Sequence, residues 1–422
     1  MRAGAATVPG PGPAARAGRW RRGARRLAAP ALAALMRAAL TPAALTPTAL
    51  MLAPLMLAAA APAAAAATDI VLGHVVPIDD PNPVGRQLRQ GLQLCIDEIN
   101  RQGGIHGARL RLEGRHRGVD VKESVQRTRA LLAEQRPPGL VALVALMGTG
   151  PIEALLQDRV LADAGVPVVG VRSGAASLRQ GAGTDWLFHT RAGYAVELAR
   201  VFEHWRTVGI TRVGLYLEDT RFGAELRGLF DERAAALGMQ VVARPAHPLR
   251  GTDAKKAVDA FRQAAPEAIL VASTSDAAAE FYRAYRAAGG AAHVVAVSTV
   301  DGGQVVRRIG SAARGLAVVQ VVPDPASPSL AFTRELQALL RRAGDAAPPL
   351  THGLAEGCLA VRVVAEGLRR AGPGPDGPRL KRALEAVADL DLGGVRLGFT
   401  PGRAYASFVD IAIIDANGRL RR

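Results

Sequence analysis

From Asp69 onward, runs of aliphatic residues alternate with stretches whose apolar positions recur every three or four residues. The first run, Ile70-Val71-Leu72-Gly73-His74-Val75-Val76, reads as a strand buried on both faces. After the loop Pro77–Pro83, residues Leu88, Leu92, Cys95, Ile96 and Ile99 fall at helical spacing and predict a helix over Val84–Asn100. Gly103 and Gly104 supply its C-terminal stop. The same reading predicts strands at Leu110–Leu112, Leu140–Leu146, Val166–Val171, Arg212–Leu217, Gln240–Ala243, Ala268–Ala272, His293–Val297 and Leu316–Val322. Helices are expected between them, at Val121–Glu134, Ile152–Ala164, Glu197–Val208, Gly223–Leu237, Thr252–Ala264 and Ala277–Ala288. Repeated strand–helix units imply an α/β fold with parallel sheets covered by helices. About 355 residues of such alternation exceed one sheet, so two lobes are expected.

Charge changes this picture only at the N-terminus. The 422 residues are 49% hydrophobic and 4% aromatic, a small and aliphatic composition that suits buried α/β layers. A formal charge of +16 would suggest a nucleic-acid partner, but half of it comes from eight arginines within residues 1–67, where there is no acid. The remainder is dispersed among acids, without a basic stripe carrying interleaved aromatics, so a nucleic-acid partner is not expected. The first 67 residues read instead as an export leader: arginines, then no charge from Ala38 to Thr68, then the small-residue ending Ala61–Ala67. Its length leaves Met36 and Met51 as alternative starts. A membrane anchor is the rival reading, and the Ala/Pro-rich ending favours cleavage and release into the periplasm. Cys95 and Cys358 each sit in a helical pattern. Export permits a disulfide, while core thiols are the favoured reading.

Ligands of open α/β sheets bind beyond the carboxyl ends of the strands. The loops to read are therefore Pro77–Pro83, Met147–Pro151, Arg172–Ser177, Glu218–Phe222, Ser273–Asp276 and Thr299–Gly303. Thr149 and Gly150 lie in a Gly-Thr-Gly turn that opens a helix, whose free N–H groups suit an anion. A plain tight turn is the alternative, since the third glycine of a dinucleotide fingerprint is missing. Gly170–Gly174 lacks the spacing of a nucleophile elbow, so Ser173 is read as offering a hydroxyl and a backbone N–H to a ligand oxygen. The eight histidines show no H-E-x-x-H and no cluster with cysteine, and no metal is expected. Asp79, Asp80, Asp276 and Asp301 are loop acids that could face an ammonium group. With no cofactor fingerprint and no catalytic constellation, neither a cofactor nor enzymatic activity is expected.

Several stretches resemble the type I periplasmic binding proteins of the branched-chain amino-acid (Leu/Ile/Val-binding) family, the substrate-binding subunits of ABC importers. The end of the first helix with Gln102-Gly103-Gly104-Ile105-His106-Gly107 is similar to that family's most specific marker. Ala164-Gly165-Val166-Pro167-Val168-Val169, Asp219-Thr220-Arg221-Phe222-Gly223 and Glu356-Gly357-Cys358-Leu359-Ala360 resemble three further segments. Ser173-Gly174-Ala175 and Arg191-Ala192-Gly193-Tyr194 with Glu197 resemble one subgroup. The resemblance covers roughly Asp69 to Leu420. It implies two Rossmann-like lobes joined by three crossings, 69–189 with 321–400 and 190–320 with 401–422, closing over a small-molecule ligand and handing it to an inner-membrane permease.

By that resemblance the ligand carboxylate would be held near Thr149 and Gly150 and by Arg172, Ser173 and Gly174. The ammonium group would be met by Phe222 and Asp301, with Tyr194 as a wall and Ser275 in the loop where the family often carries an aromatic. Arg172 replaces a small residue and adds positive charge, which points to a more acidic ligand or a carboxylate that is not an amino acid. The expected molecule is a monomeric, extracytoplasmic solute-binding protein. A ligand-sensing receptor of the same fold is the alternative.

Overall fold

A computed structural model describes residues 69–79, 83–116, 118, 120–134, 139–249, 251–402, 404–406 and 408–421. The leader expected at 1–67, with Met36 and Met51, and the loop acid Asp80 lie outside the described residues.

Continuous aliphatic runs build the first sheet. It comprises β1 (Ile70–Val76), β2 (Leu110–His116), β3 (Leu140–Val144), β4 (Val168–Val169) and β5 (Leu187–Phe188), all parallel, in the order β2-β1-β3-β4-β5. All seven residues of β1 are buried, which is why its sequence does not alternate. The linking helices are α1 (Val84–Arg101), α2 (Val121–Glu134), α3 (Thr149–Gln157) and α4 (Val160–Ala164). The single helix expected over Ile152–Ala164 is therefore two. Arg159, at φ 53°, takes the left-handed conformation between them and breaks the helical ladder.

The second sheet collects β6 (Arg212–Glu218), β7 (Gln240–Ala243), β8 (Ala246–His247), β9 (Ala268–Ala272), β10 (His293–Ala296) and β11 (Ala317–Gln320). Its helices are α5 (Tyr194–Thr207), α6 (Arg221–Ala236), α7 (Ala254–Ala264), α8 (Ser275–Ala287) and α9 (Gly302–Ile309). The chain then adds α10 (Ala331–Ala343), α11 (His352–Ala371), α12 (Gly377–Glu385) and a small antiparallel sheet, β12 (Leu390–Asp391), β13 (Arg396–Gly398) and β14 (Tyr405–Ala406). These pack on the first sheet: Leu359, Leu384, Leu397 and Phe399 share one core with Ile70, Leu72 and Phe188. Finally β15 (Asp410–Ile414) and β16 (Leu420–Arg421) join the second sheet. The chain passes between the two large sheets three times: before α5, after β11, and between β14 and β15.

Parallel sheets were expected, and the second is mixed, because β15 runs antiparallel to β11. Only a crossover connection forces parallel pairing, and β15 arrives from the small sheet without one.

The two longest helices, α1 and α11, pack at close range. A Cβ on Gly91 would strike the backbone of Leu354, and one on Gly357 the backbone of Leu88. That approach sets the Cα atoms of Cys95 and Cys358 5.3 Å apart, and the two are joined as a disulfide. The core-thiol reading is corrected here. Both side chains do lie in the core, but the pairing depends on a contact between helices far apart in sequence, which spacing cannot reveal. Among the described residues, no helix is long and apolar enough to cross a membrane.

Candidate functional site

The carboxyl end of β4 delivers the first charged group of the site. Arg172 N–H donates to Leu146 O at 2.7 Å and Arg172 bridges Met147, so strand pairing with the segment that follows β3 persists past β4 and fixes where its side chain leaves the sheet. Nε of Arg172 donates to Oε1 of Glu356 on α11 at 3.3 Å. The other oxygen of Glu356 accepts from Nη1 of Arg191 at 3.4 Å. Arg191 stands in the crossing between β5 and α5, is 1% exposed, and reaches the second sheet's side as well. Its Nη2 lies 3.5 Å from Glu197 on α5 and donates to the Ser298 hydroxyl beyond β10. Ser298 in turn donates to both Glu197 oxygens, from Oγ at 2.7 Å and from its N–H at 3.0 Å.

Burial alone would depress the Arg191 guanidinium, but the Glu356 and Glu197 carboxylates hold it above its ordinary value. It therefore stays charged while buried, which is tolerable only because two carboxylates and a hydroxyl surround it. Behind it, Arg179 donates Nη2 to Arg191 O at 2.9 Å and fixes the crossing. Burial, and next the Arg191 charge, push Arg179 down to about 10. His189 is half satisfied: its Nε2 bonds Leu178 O at 2.9 Å, its Nδ1 is buried without a hydrogen-bond partner among the described residues, and burial holds it down to about 3.

Arg172, Ser298, Asp301, Gln320, His352 and Glu356, with four valines and Gly353, enclose a cavity of about 10 Å³, room for roughly one water. Asp301 caps α9, its Oδ1 accepting from Gln304 N–H at 2.7 Å, and its own N–H donates to Ser275 Oγ at 2.9 Å. Its Oδ2 is buried and has no hydrogen-bond partner among the described residues, and the same holds for Nε2 of His352. Burial pushes the His352 imidazole down, although Asp301, Asp324 and Glu356 pull the other way, so it is neutral at pH 7. This wall offers an unpartnered carboxylate oxygen beside a neutral imidazole.

A second group lies beside the first. Thr149 Oγ1 and Ser173 Oγ are hydrogen-bonded at 2.9 Å, and Ser173 Oγ also accepts from Ala175 N–H at 3.2 Å. Tyr194 N–H donates to Gly174 O at 2.7 Å, and its ring meets Phe222 edge-on with centroids 5.5 Å apart. Any side chain at position 174 would strike the Tyr194 ring, so the glycine allows that contact. Gly150 lies near Val121 and Arg221, where a Cβ would make only ordinary contacts.

Of the nine residues named from sequence, Arg172 and Asp301 thus share the cavity, with Ser275 supporting Asp301. Thr149, Ser173, Gly174, Tyr194 and Phe222 form the adjacent set, and Gly150 sits apart near α6. The charge expected from Arg172 is present, but Glu356 matches it. Glu356, Arg191, Ser298 and His352 were not named as site residues. A lone acid in the apolar run Leu354–Val361 is the one local signal that marked Glu356. Among the described residues, no group of His, Cys, Asp and Glu could hold a metal ion.

Contacts also span from α6 to the first sheet's side. Arg221 donates to both oxygens of Glu153 on α3 at 3.0 and 3.2 Å. Glu225 accepts from Ala176 N–H and from the Ser177 hydroxyl.

A family model described as periplasmic binding protein matches residues 69–407. A substrate-binding periplasmic protein from Ralstonia solanacearum superposes with a TM-score of 0.78 at 30% identity, covering 83% of this chain and 99% of that one. An extracellular ligand-binding receptor from Verminephrobacter eiseniae gives 0.76 at 27% identity, covering 84% and 100%. The Leu/Ile/Val-binding protein homolog 8 of Brucella abortus is 26% identical over 236 residues, 53% of this chain. The match takes in 56% of that relative, so the chain spans little more than half the length of the curated relative it resembles.

Proposed function

This chain belongs to the periplasmic binding protein family, and from that premise we propose that it is the solute-binding subunit of an ABC importer, taking a small amino-acid-like or other carboxylate ligand into the cleft between two lobes. The lobes, 69–189 with 321–400 and 190–320 with 401–422, correspond in this reading to the two large sheets, with β14 kept on the first. The leader directs the chain to the periplasm, where it acts as a monomer, performs no chemistry on its ligand and delivers it to an inner-membrane permease.

One observation carries the reading. Arg191, in the segment crossing between the sheets, bonds Glu356 on one side and Ser298 on the other, 3.5 Å from Glu197. A charged residue that reads the position of both lobes suits a protein whose function is closure. The cavity of about 10 Å³ is far smaller than any amino acid, so a ligand enters by lobe opening.

Thermal unfolding against the twenty amino acids and a set of monocarboxylates tests this. A ligand at a hundredfold excess over its Kd stabilises the native state by about 2.7 kcal/mol, which a melting curve resolves. At least one carboxylate-bearing compound is expected to raise the melting temperature. A flat response across the whole set overturns the proposal.

A further inference from the structure

We propose that Glu356 is a specificity-determining residue, a built-in counter-anion that cancels Arg172 and turns the cleft against ligands carrying a second negative charge. The inference rests on the solute-binding reading above and names the ligand class that the same site refuses.

The geometry is that of one carboxylate shared between two guanidinium groups. Oε1 of Glu356 faces Arg172 at 3.3 Å and Oε2 faces Arg191 at 3.4 Å. Arg191 has a further carboxylate in Glu197, whereas Glu356 is the carboxylate that pairs with Arg172. Side-chain exposures of 8% and 9% place the Arg172–Glu356 pair out of bulk water, where a charge left unmatched is costly. A ligand carboxylate arriving at Arg172 therefore meets the Glu356 carboxylate already there. The facing wall adds a further acid: Asp301 Oδ2 is buried without a hydrogen-bond partner among the described residues, beside an uncharged His352. A zwitterion with one carboxylate and one ammonium satisfies such a pocket. A dicarboxylate or an inorganic dianion adds repulsion at both walls, and like charges brought together at a buried contact are strongly disfavoured. Arg172 read alone suggests an acidic ligand, and Glu356 reverses that inference.

Helix α11 fixes the placement. Thr351 caps its start by accepting from Leu354 N–H at 3.1 Å, and His352, Gly353 and Glu356 lie on one face across its first turns. Two residues on, Cys358 is tied to α1. The carboxylate is thus held by a rigid element rather than by a loop that could withdraw it.

The experiment uses the full chain with succinate and inorganic sulfate as probes, read by thermal unfolding and by calorimetric titration. Glu356→Gln keeps the shape and removes the charge. It is expected to melt below the wild type without anion, to recover as either probe is added, and to bind succinate roughly tenfold or more tightly than the wild type does. Glu356→Asp should retain the wild-type indifference. Should Glu356→Gln not fold, Glu356→Ala leaves room for a free carboxylate between the arginines, and acetate should restore its folding. Identical responses of wild type and Glu356→Gln to both probes overturn the proposal. So does a pair of variants that no anion restores. If no amino acid stabilises the wild type while Glu356→Gln still gains its anion response, the ligand reading fails and the role of Glu356 stands.

Discussion

A carboxyl group buried without a positive partner keeps its proton, and Glu218 at the end of β6 is in that position. Its residue is 5% exposed, Oε1 accepts from the Thr220 hydroxyl at 3.2 Å, and Oε2 has no hydrogen-bond partner among the described residues. Burial pushes it up to about 7, with the Thr220 bond opposing. The folded protein then holds that proton more tightly than the unfolded chain does. The stability it contributes is complete below about pH 4.5 and is lost as pH rises through about 7, at a cost on the order of 3 kcal/mol above that range. Glu218→Gln should remove this slope, so that wild type and variant differ most above pH 7 and converge near pH 4.5. Parallel stability profiles would dispose of the claim. At this scale the sequence was half legible. Arg172 and Ser173 could be singled out as candidates because they follow a strand in an open α/β sheet, but the partners of Arg172 and Arg191 come from α11, α5 and the loop after β10. No spacing rule connects positions 172, 191, 298 and 356, and only the fold assembles them.

At the scale of elements, glycines inside helices separate close packing from mere tolerance. Gly357 in α11 faces the backbone of Leu88 and Leu92 on α1, where a Cβ could not be placed without moving one helix. Gly228 lies exposed inside α6, with nothing within 4 Å of its would-be Cβ. The same substitution should therefore act in opposite directions. Gly228→Ala is expected to stabilise by about 0.5–1 kcal/mol through lost unfolded-state freedom and better helix propensity. Gly357→Ala should destabilise by about 1–3 kcal/mol through overpacking. Chemical denaturation of both variants checks the pair, and a Gly357→Ala protein as stable as the wild type would show that α1 and α11 can separate freely. Elements were the most legible level for the same reason. Strands buried on both faces and amphipathic helices leave a periodic record, as β1, α2 and β9 show with boundaries read directly from the pattern. The strand expected at Val166–Val171 shrinks to the two residues of β4, while β5, also two residues, the short antiparallel strands β12 to β16 and the helices α9, α10 and α12 were not picked out.

At the scale of the whole molecule, two sheets and three crossings were legible from the count of strand–helix units and from the family resemblance. How the sides of the two sheets are tied together was not, because it depends on side-chain contacts between them. Those contacts are specific: Arg221 bonds both oxygens of Glu153, and Glu225 receives Ala176 N–H and the Ser177 hydroxyl. Phe222, between them on α6, rests edge-on against Tyr194. Arg221 is 68% exposed, so its ion pair is a modest contribution, and the two acidic contacts together should bias closed over open by about two- to thirty-fold. Under the proposed function a ligand held between lobes needs the closed form, so its apparent affinity falls by the fraction of closed protein lost. The double variant Arg221→Ala, Glu225→Ala should then raise the apparent Kd for whichever amino acid stabilises the wild type by up to that factor. It should also show a larger radius of gyration in small-angle scattering without ligand, while saturating ligand restores the compact wild-type value. Unchanged scattering together with unchanged affinity would remove α6 from the closing mechanism and leave the Arg191 network to set the balance alone.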